Sequence, residues 1–150
     1  MKRKILIVED NVGLSQIQKD WLSQAGYEAV TAMNEPIARS LIRKTQFDLI
    51  LSDVRLPEGD GISLLEWLRK EKKDIPFIIT TEYVSVPDVV RTIKLGARDY
   101  LPKPVHRDYL LELAEDIFHP VATVRKQERQ LFHRTSPMIL KVEKFAKIGR

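Results

Sequence analysis

The sequence predicts an α/β protein in which five βα units build a doubly wound parallel sheet. Short apolar runs at Ile5–Val8, Leu49–Leu51 and Phe77–Ile79 alternate with amphipathic stretches, as expected of strands buried on both faces between helices. Gly26, Asn34, Ser85 and Gly96 punctuate the stretches where helices should start or stop;. At 150 residues the chain can bury one substantial core and carry an appendage, but not two comfortable domains;.

Each element has its own signal. Ile5–Val8 is the first strand, and Leu14, Ile17, Trp21, Leu22 and Ala25 share one face of the first helix;. Gly26 follows where a left-handed cap would sit;. Tyr27–Ala32 is a weaker strand placed toward the sheet edge. Asn34 caps the second helix, with Pro36 in its first turn and Ile37, Ala38, Leu41 and Ile42 inside;. After the Leu49–Leu51 strand, Ile62, Leu65 and Leu68 mark the third helix. Phe77–Ile79 leads to a fourth helix opened by Ser85 and Asp88, lined by Val89, Val90 and Ile93, and ended by Gly96;. Arg98–Leu101 is the second edge candidate, and a fifth helix begins near His106. Right-handed crossovers between such units place ligands at the carboxyl ends of the strands.

Composition removes several classes. There is no cysteine, hence no disulfide framework and no thiolate metal site;. The basic start Met1-Lys2-Arg3-Lys4 is followed by only four apolar residues before Glu9 and Asp10, too few for an export signal;. No run approaches the ~20 apolar residues of a membrane span, so a cytoplasmic protein without a membrane partner is expected. The net charge is +4, but residues 121–150 carry eight Lys/Arg against Glu128 and Glu143, leaving residues 1–120 at −2. Scattered cations of that kind form a solvated face, and direct nucleic-acid binding is not expected.

The strand ends hold the chemistry. The first strand runs into Glu9-Asp10, the third into Asp53, the fourth into Thr80-Thr81, and Lys103 follows the fifth. Three carboxylates crowded in one crevice cannot all ionise without a cation, and Mg²⁺, hard and oxygen-seeking, answers that need. Asp53 could then attack a phosphoryl group while Lys103 offsets its charge. Drawing Thr81 toward the new oxygens would vacate space for the Tyr100 ring, a phosphorylation switch in outline. Any one of these carboxylates alone reads as a solvated loop residue, and Tyr100 alone as core packing. It is their placement at successive strand ends that carries the chemistry.

These motifs, Ile5-Leu6-Ile7-Val8-Glu9-Asp10, Asp53-Val54-Arg55-Leu56-Pro57 with Asp60-Gly61, and Gly96-Ala97-Arg98-Asp99-Tyr100-Leu101-Pro102-Lys103-Pro104, resemble the receiver domains of two-component response regulators over about residues 3–118. The resemblance implies a flavodoxin-like three-layer sandwich with strand order 2-1-3-4-5. It implies Asp53 as phosphoacceptor for a sensor histidine kinase or phosphotransfer protein. Glu9, Asp10, Asp53 and the backbone carbonyl of Arg55 become the metal ligands, Lys103 the phosphoryl contact, and Lys103–Pro104 a cis bond. Gap-free alignment puts Thr81 at the switch position. Glu82 then stands where a small residue is usual: it either modulates phosphorylation and the lifetime of the phosphorylated state, or points into solvent.

Competing readings fare worse. Haloacid-dehalogenase phosphatases place a second Asp two residues after the nucleophile, where this chain has Arg55. A turnover enzyme is therefore not expected, beyond a receiver's own phosphorylation and dephosphorylation. The first βα turn lacks the dinucleotide-binding glycines and is acidic where pyrophosphate would sit. His106, His119 and His133 lack metal-ligand spacing, and Trp21 and Trp67 read as core;. A stand-alone or degenerate receiver acting as an interaction module remains the alternative function.

Beyond the receiver, residues 1–119, the sequence suggests a helical linker over 120–135 and the start of a truncated output domain over 136–150. Leu110, Ala114, Ile117, Val121, Val124, Glu128 and Leu131 follow coiled-coil spacing, interrupted by Pro120;. A homodimer is the corresponding expectation. Ser136-Pro137-Met138 resembles the start of the ATPase domain of sigma-54-dependent transcription activators, although no nucleotide-binding loop is present in these residues;.

Overall fold

The computed structural model describes residues 2–120, and the structural statements below concern those residues. In chain order they form β1 (Lys4–Val8), α1 (Val12–Gln24), β2 (Glu28–Ala32), α2 (Glu35–Lys44), β3 (Leu49–Asp53), two short strands β4 (Arg55–Leu56) and β5 (Gly59–Asp60), α3 (Gly61–Lys70), β6 (Phe77–Thr81), α4 (Val86–Lys94), β7 (Asp99–Pro102) and α5 (Arg107–Phe118). The five long strands are parallel in the order β2-β1-β3-β6-β7, while β4 and β5 pair separately as an antiparallel hairpin. Counting only the long strands, this is the expected 2-1-3-4-5 order. Strand order reverses at β1 and β3, so their carboxyl ends open on the crevice this architecture uses for ligands.

Alternation along the strands divides the core in two. Leu6, Val8, Ile50, Phe77, Ile79 and Tyr100 pack with Ala38, Ile42, Leu65 and Val89 on the α2–α4 side. Ile5, Ile7, Leu49, Leu51, Ile78 and Leu101 pack with Leu22, Leu110 and Ala114 on the α1–α5 side. Each fully buried aliphatic side chain contributes roughly 1.5–3 kcal/mol, which fixes the strand ends against one another. Side-chain caps set the helix starts: Asn11 accepts from Leu14 N–H at 2.9 Å, Asn34 from Ile37 N–H at 2.9 Å, and Asp60 from Ser63 N–H at 2.6 Å;.

Two expectations need correction. In α1 the buried residues are Ser15, Gln18 and Leu22, whereas Ile17 is exposed and Ala25 lies at the exposed C-cap. The inward face is turned by one residue because the helix seats its smaller Ser15 and the Gln18 amide against the domain. The coiled-coil spacing also begins on residues already occupied: Leu110 and Ala114 are fully buried in their own domain. A partner helix cannot use them. Val121, Val124, Glu128 and Leu131, and with them the linker over 120–135 beyond Pro120 and the segment 136–150, lie outside the described residues.

Candidate functional site

The carboxyl ends of β1, β3, β6 and β7 converge as the sequence predicts. Glu9 and Asp10 follow β1, Asp53 ends β3, Thr81 ends β6, and Lys103 follows β7. One carboxylate oxygen from each of Glu9, Asp10 and Asp53 lies within 4.8 Å of the others. Lys103 Nζ bridges two of them, donating to Glu9 Oε1 at 2.7 Å and to Asp53 Oδ2 at 2.8 Å. Asp10 is exposed, while Glu9 and Asp53 are buried. The crevice is thus open on one side and lined by acid within.

Burial sets the electrostatics. It raises Glu9 above the ordinary carboxylate range, with the Asp53 charge adding to the effect and the hydrogen bonds from Lys103 and the Asn11 N–H opposing it;. Burial alone would lower Lys103, but its bonds to Asp53 and Glu9 outweigh that and hold the ammonium protonated above its usual range. Three hard oxygen donors with one ammonium already among them suit a small hard cation, which would add the positive charge still lacking.

The loop after Asp53 is shaped by its glycines. A Cβ on Gly61 would collide with the Asp53 carbonyl oxygen, so the Asp60-Gly61 pair keeps α3 close beneath β3. Gly61 N–H donates to Val54 C=O at 2.8 Å, and Val54 N–H to Thr80 C=O at 2.9 Å. Arg55 N–H reaches Asp53 Oδ1 at 3.4 Å.

Thr81 and Thr80 are both buried, on opposite faces of β6. Alternation puts Thr81 on the side of Ile79 and Tyr100, as a coupled hydroxyl–aromatic pair requires;. The Thr81 hydroxyl donates to Tyr83 C=O at 2.8 Å and accepts from Tyr83 N–H at 3.1 Å. Tyr100 is 1% exposed. Its ring therefore already stands inward while Thr81 is engaged with Tyr83. Burial raises the Tyr100 phenol above its usual value, with Thr81 and the Ser85 backbone partly offsetting this. Glu82 is exposed beside this pair. Lys103–Pro104 is cis, as the resemblance implies.

Across residues 5–115 the chain matches the family described as the response regulator receiver domain. The chain belongs to that family. The chain is 30% identical over 145 residues to transcriptional regulatory protein GlrR of Escherichia coli (strain K12), covering 96% of this chain and 33% of that relative. It is 39% identical over 116 residues to transcriptional regulatory protein ZraR of Klebsiella oxytoca, covering 77% of this chain and 26% of the relative. The chain thus spans about a third or less of the length of these two curated relatives. Among solved structures, the non-phosphorylated HemR receiver domain of Leptospira biflexa superposes with TM-score 0.73 at 36% identity, covering 81% of this chain and 98% of that one. A CheY-like receiver domain protein of Methanospirillum hungatei JF-1 gives TM-score 0.75 at 32% identity, covering 79% and 95%.

Other residues around the receiver's site are visible only in three dimensions. The Arg55 guanidinium stacks on the Tyr83 ring at 4.8 Å, so side chains two residues after Asp53 and two after Thr81 meet at the crevice. Glu35, at the start of α2, accepts a hydrogen bond from Asp60 N–H at 3.0 Å. A carboxylate in the first turn of a helix reads in sequence as a dipole partner, and nothing local reveals that it faces a loop 25 residues away. The Asp60 cap could have been read from Asp60-Gly61-Ile62-Ser63 ahead of an apolar helix face;.

Proposed function

We propose that this receiver is a phosphorylation switch whose acceptor is Asp53, supplied by a sensor histidine kinase or phosphotransfer protein in the cytoplasm. One observation carries the reading: Asp53, Glu9 and Asp10 share one crevice, with Lys103 bridging the first two at 2.8 and 2.7 Å. Asp53, Glu9, Asp10 and the Arg55 carbonyl are the residues that would hold Mg²⁺. Bound there, Mg²⁺ supplies positive charge that offsets the phosphoryl oxygens.

The protein's own groups do the rest. An Asp53 carboxylate oxygen forms the new bond to phosphorus as the donor's phosphorus–nitrogen bond breaks, and that nitrogen leaves with the bonding electron pair, the donor imidazole departing neutral because its other ring nitrogen carries the proton. The Lys103 ammonium, freed from Asp53, neutralises a phosphoryl oxygen. The Thr81 hydroxyl exchanges its Tyr83 bonds for a phosphoryl oxygen, which loosens the 81–85 segment next to Tyr100 and alters the surface formed by α4, β7 and α5. Glu82, exposed at the rim, is the candidate modulator of these rates. Arg55 at the second position after Asp53, stacked on Tyr83, offers no general acid, which sets this chemistry apart from a phosphatase. The output would be regulation of transcription through assembly of an attached domain, in the manner of a sigma-54-dependent activator, with a homodimer as the assembled form.

The test is beryllofluoride binding and phosphate incorporation with Mg²⁺, comparing wild type with Asp53→Asn while light scattering follows mass. Mg²⁺-dependent modification that vanishes in the variant is expected. A wild-type protein that takes neither would be a degenerate receiver acting as an interaction module.

A further inference from the structure

Glu35 is only 6% exposed, although it is a carboxylate on the first turn of a surface helix. Its Oε1 accepts the Asp60 N–H at 3.0 Å, and its Oε2 is ion-paired with Arg39 one turn along α2. Arg39 in turn lies over the Trp67 ring of α3 at 5.1 Å, beside Arg43 at 5.2 Å. Its Nε is buried without a hydrogen-bond partner although the side chain as a whole is 31% exposed, so the inner edge of the guanidinium is supported by the Glu35 charge rather than by water;. The carboxylate also fills the space next to Gly59, where a Cβ would stand 2.9 Å from Glu35 Cβ and closer still to Oε1. Gly59 adopts φ +139°, open to glycine and strained for other residues;. Trp67, Arg39, Glu35 and β5 are thus one continuous brace.

The far end of that brace is the acceptor loop. In the hairpin, Asp60 pairs with Arg55 and Gly59 with Leu56. Arg55 lies two residues after Asp53 and contributes the backbone carbonyl assigned above to the cation. Whatever fixes β5 therefore fixes the height and direction of that carbonyl. We infer that Glu35, locked by Arg39, is a positioning residue for the acceptor loop and sets the affinity of the acidic crevice for its divalent cation. The inference rests on the proposed cation-dependent switch and adds to it the residue that holds one ligand in place. Coupling runs both ways: cation binding stiffens β5 and, through Glu35, the α2–α3 contact.

The experiment uses the 150-residue chain. Mg²⁺ is titrated by calorimetry and exchange of the Asp60 amide is followed by NMR in wild type, Glu35→Ala, Glu35→Gln, Arg39→Gln and Arg69→Ala. Arg69 is the control, since it binds Leu95 C=O at 2.7 Å and Lys73 C=O at 2.9 Å, remote from the crevice. Glu35→Ala should weaken Mg²⁺ binding about tenfold, the usual scale for a group behind a metal ligand, and should speed Asp60 exchange. Glu35→Gln keeps an acceptor for Asp60 N–H and should stay within about threefold of wild type. Arg39→Gln should speed Asp60 exchange and weaken binding to an intermediate degree, and it serves if Glu35→Ala does not fold. Arg69→Ala should lower thermal stability without moving the Mg²⁺ affinity. Unchanged affinity in folded Glu35→Ala and Arg39→Gln, or an equal loss in Arg69→Ala, would overturn the inference alone. Wild type that binds no Mg²⁺ would overturn the switch reading and this inference with it.

Discussion

Lys103 is the residue on which the crevice balances. Its side chain is 10% exposed and bridges Glu9 and Asp53, whose side chains are 2% and 9% exposed. Without it two buried carboxylates face each other unpaired, at a cost of about 2 kcal/mol. Lys103→Met should therefore lower stability at neutral pH, and added Mg²⁺ should raise its melting temperature more than that of wild type, as thermal unfolding with and without the ion would show. The pH dependence follows from Glu9, whose folded value lies above the ordinary 4.5 because of burial and the Asp53 charge, and rises further once the Lys103 bond is lost. A raised carboxyl favours the folded state below pH 4.5 and loses that advantage as pH climbs through the folded value. The deficit of Lys103→Met should thus be small near pH 4.5 and full at pH 7;. A deficit independent of pH would remove Glu9 from the account.

At the level of elements, α5 is tied to the edge strand β7 by a partly buried polar contact. Tyr109 of α5 donates to Asp99 Oδ2 at 2.7 Å, and Asp99 Oδ1 accepts the Tyr100 N–H at 2.8 Å. The contact adjoins Tyr100, so the helix and the aromatic of the proposed switch share an anchor. Burial, together with the Asp99 charge and hydrogen bond, pushes the Tyr109 phenol far above its ordinary value of 10.0. A phenol raised on folding contributes stability that is complete below pH 10 and is lost as pH rises through the folded value, because the unfolded chain ionises first;. Tyr109→Phe should cost about 1 kcal/mol at pH 7 and flatten the alkaline fall in stability, measured by denaturant unfolding from pH 8 to 11. Tyr27 and Tyr100 are raised as well, so part of the fall should remain. A variant with the full wild-type slope would exclude Tyr109 as its source.

Over the molecule as a whole, both core clusters are built on one sheet, each strand sending alternate side chains to either side. Neither cluster can persist once the strands separate, so residues 2–120 should unfold in one cooperative step. Equal calorimetric and van't Hoff enthalpies on a 1–120 chain would show it; two resolved transitions would not fit this architecture. The same sheet explains what was legible beforehand. Strand and helix order, and Glu9, Asp10, Asp53 and Lys103 as one site, follow from alternating apolar runs and from the rule that parallel crossovers gather strand ends. Local signals for the caps at Asn34 and Ser85 held for the same reason, since a cap acts within three residues. What could not be read was set by contacts distant in sequence. The inward face of α1 shifted to Ser15 and Gln18 because apolar spacing alone does not register how closely a helix seats. The β4–β5 hairpin, two residues per strand, is too short to carry a period;. Nothing local to Glu35 signals that folding brings α2 over β5 and gives its carboxylate the Asp60 amide to hold. Sequence by itself determined the sheet and the gathering of Glu9, Asp10, Asp53 and Lys103 at its strand ends, because local periodicity and chain connectivity encode them; tertiary structure alone decided that Lys103 bridges Glu9 and Asp53 and which side chains brace that crevice, because only packing brings residues far apart in the chain within a hydrogen bond of one another.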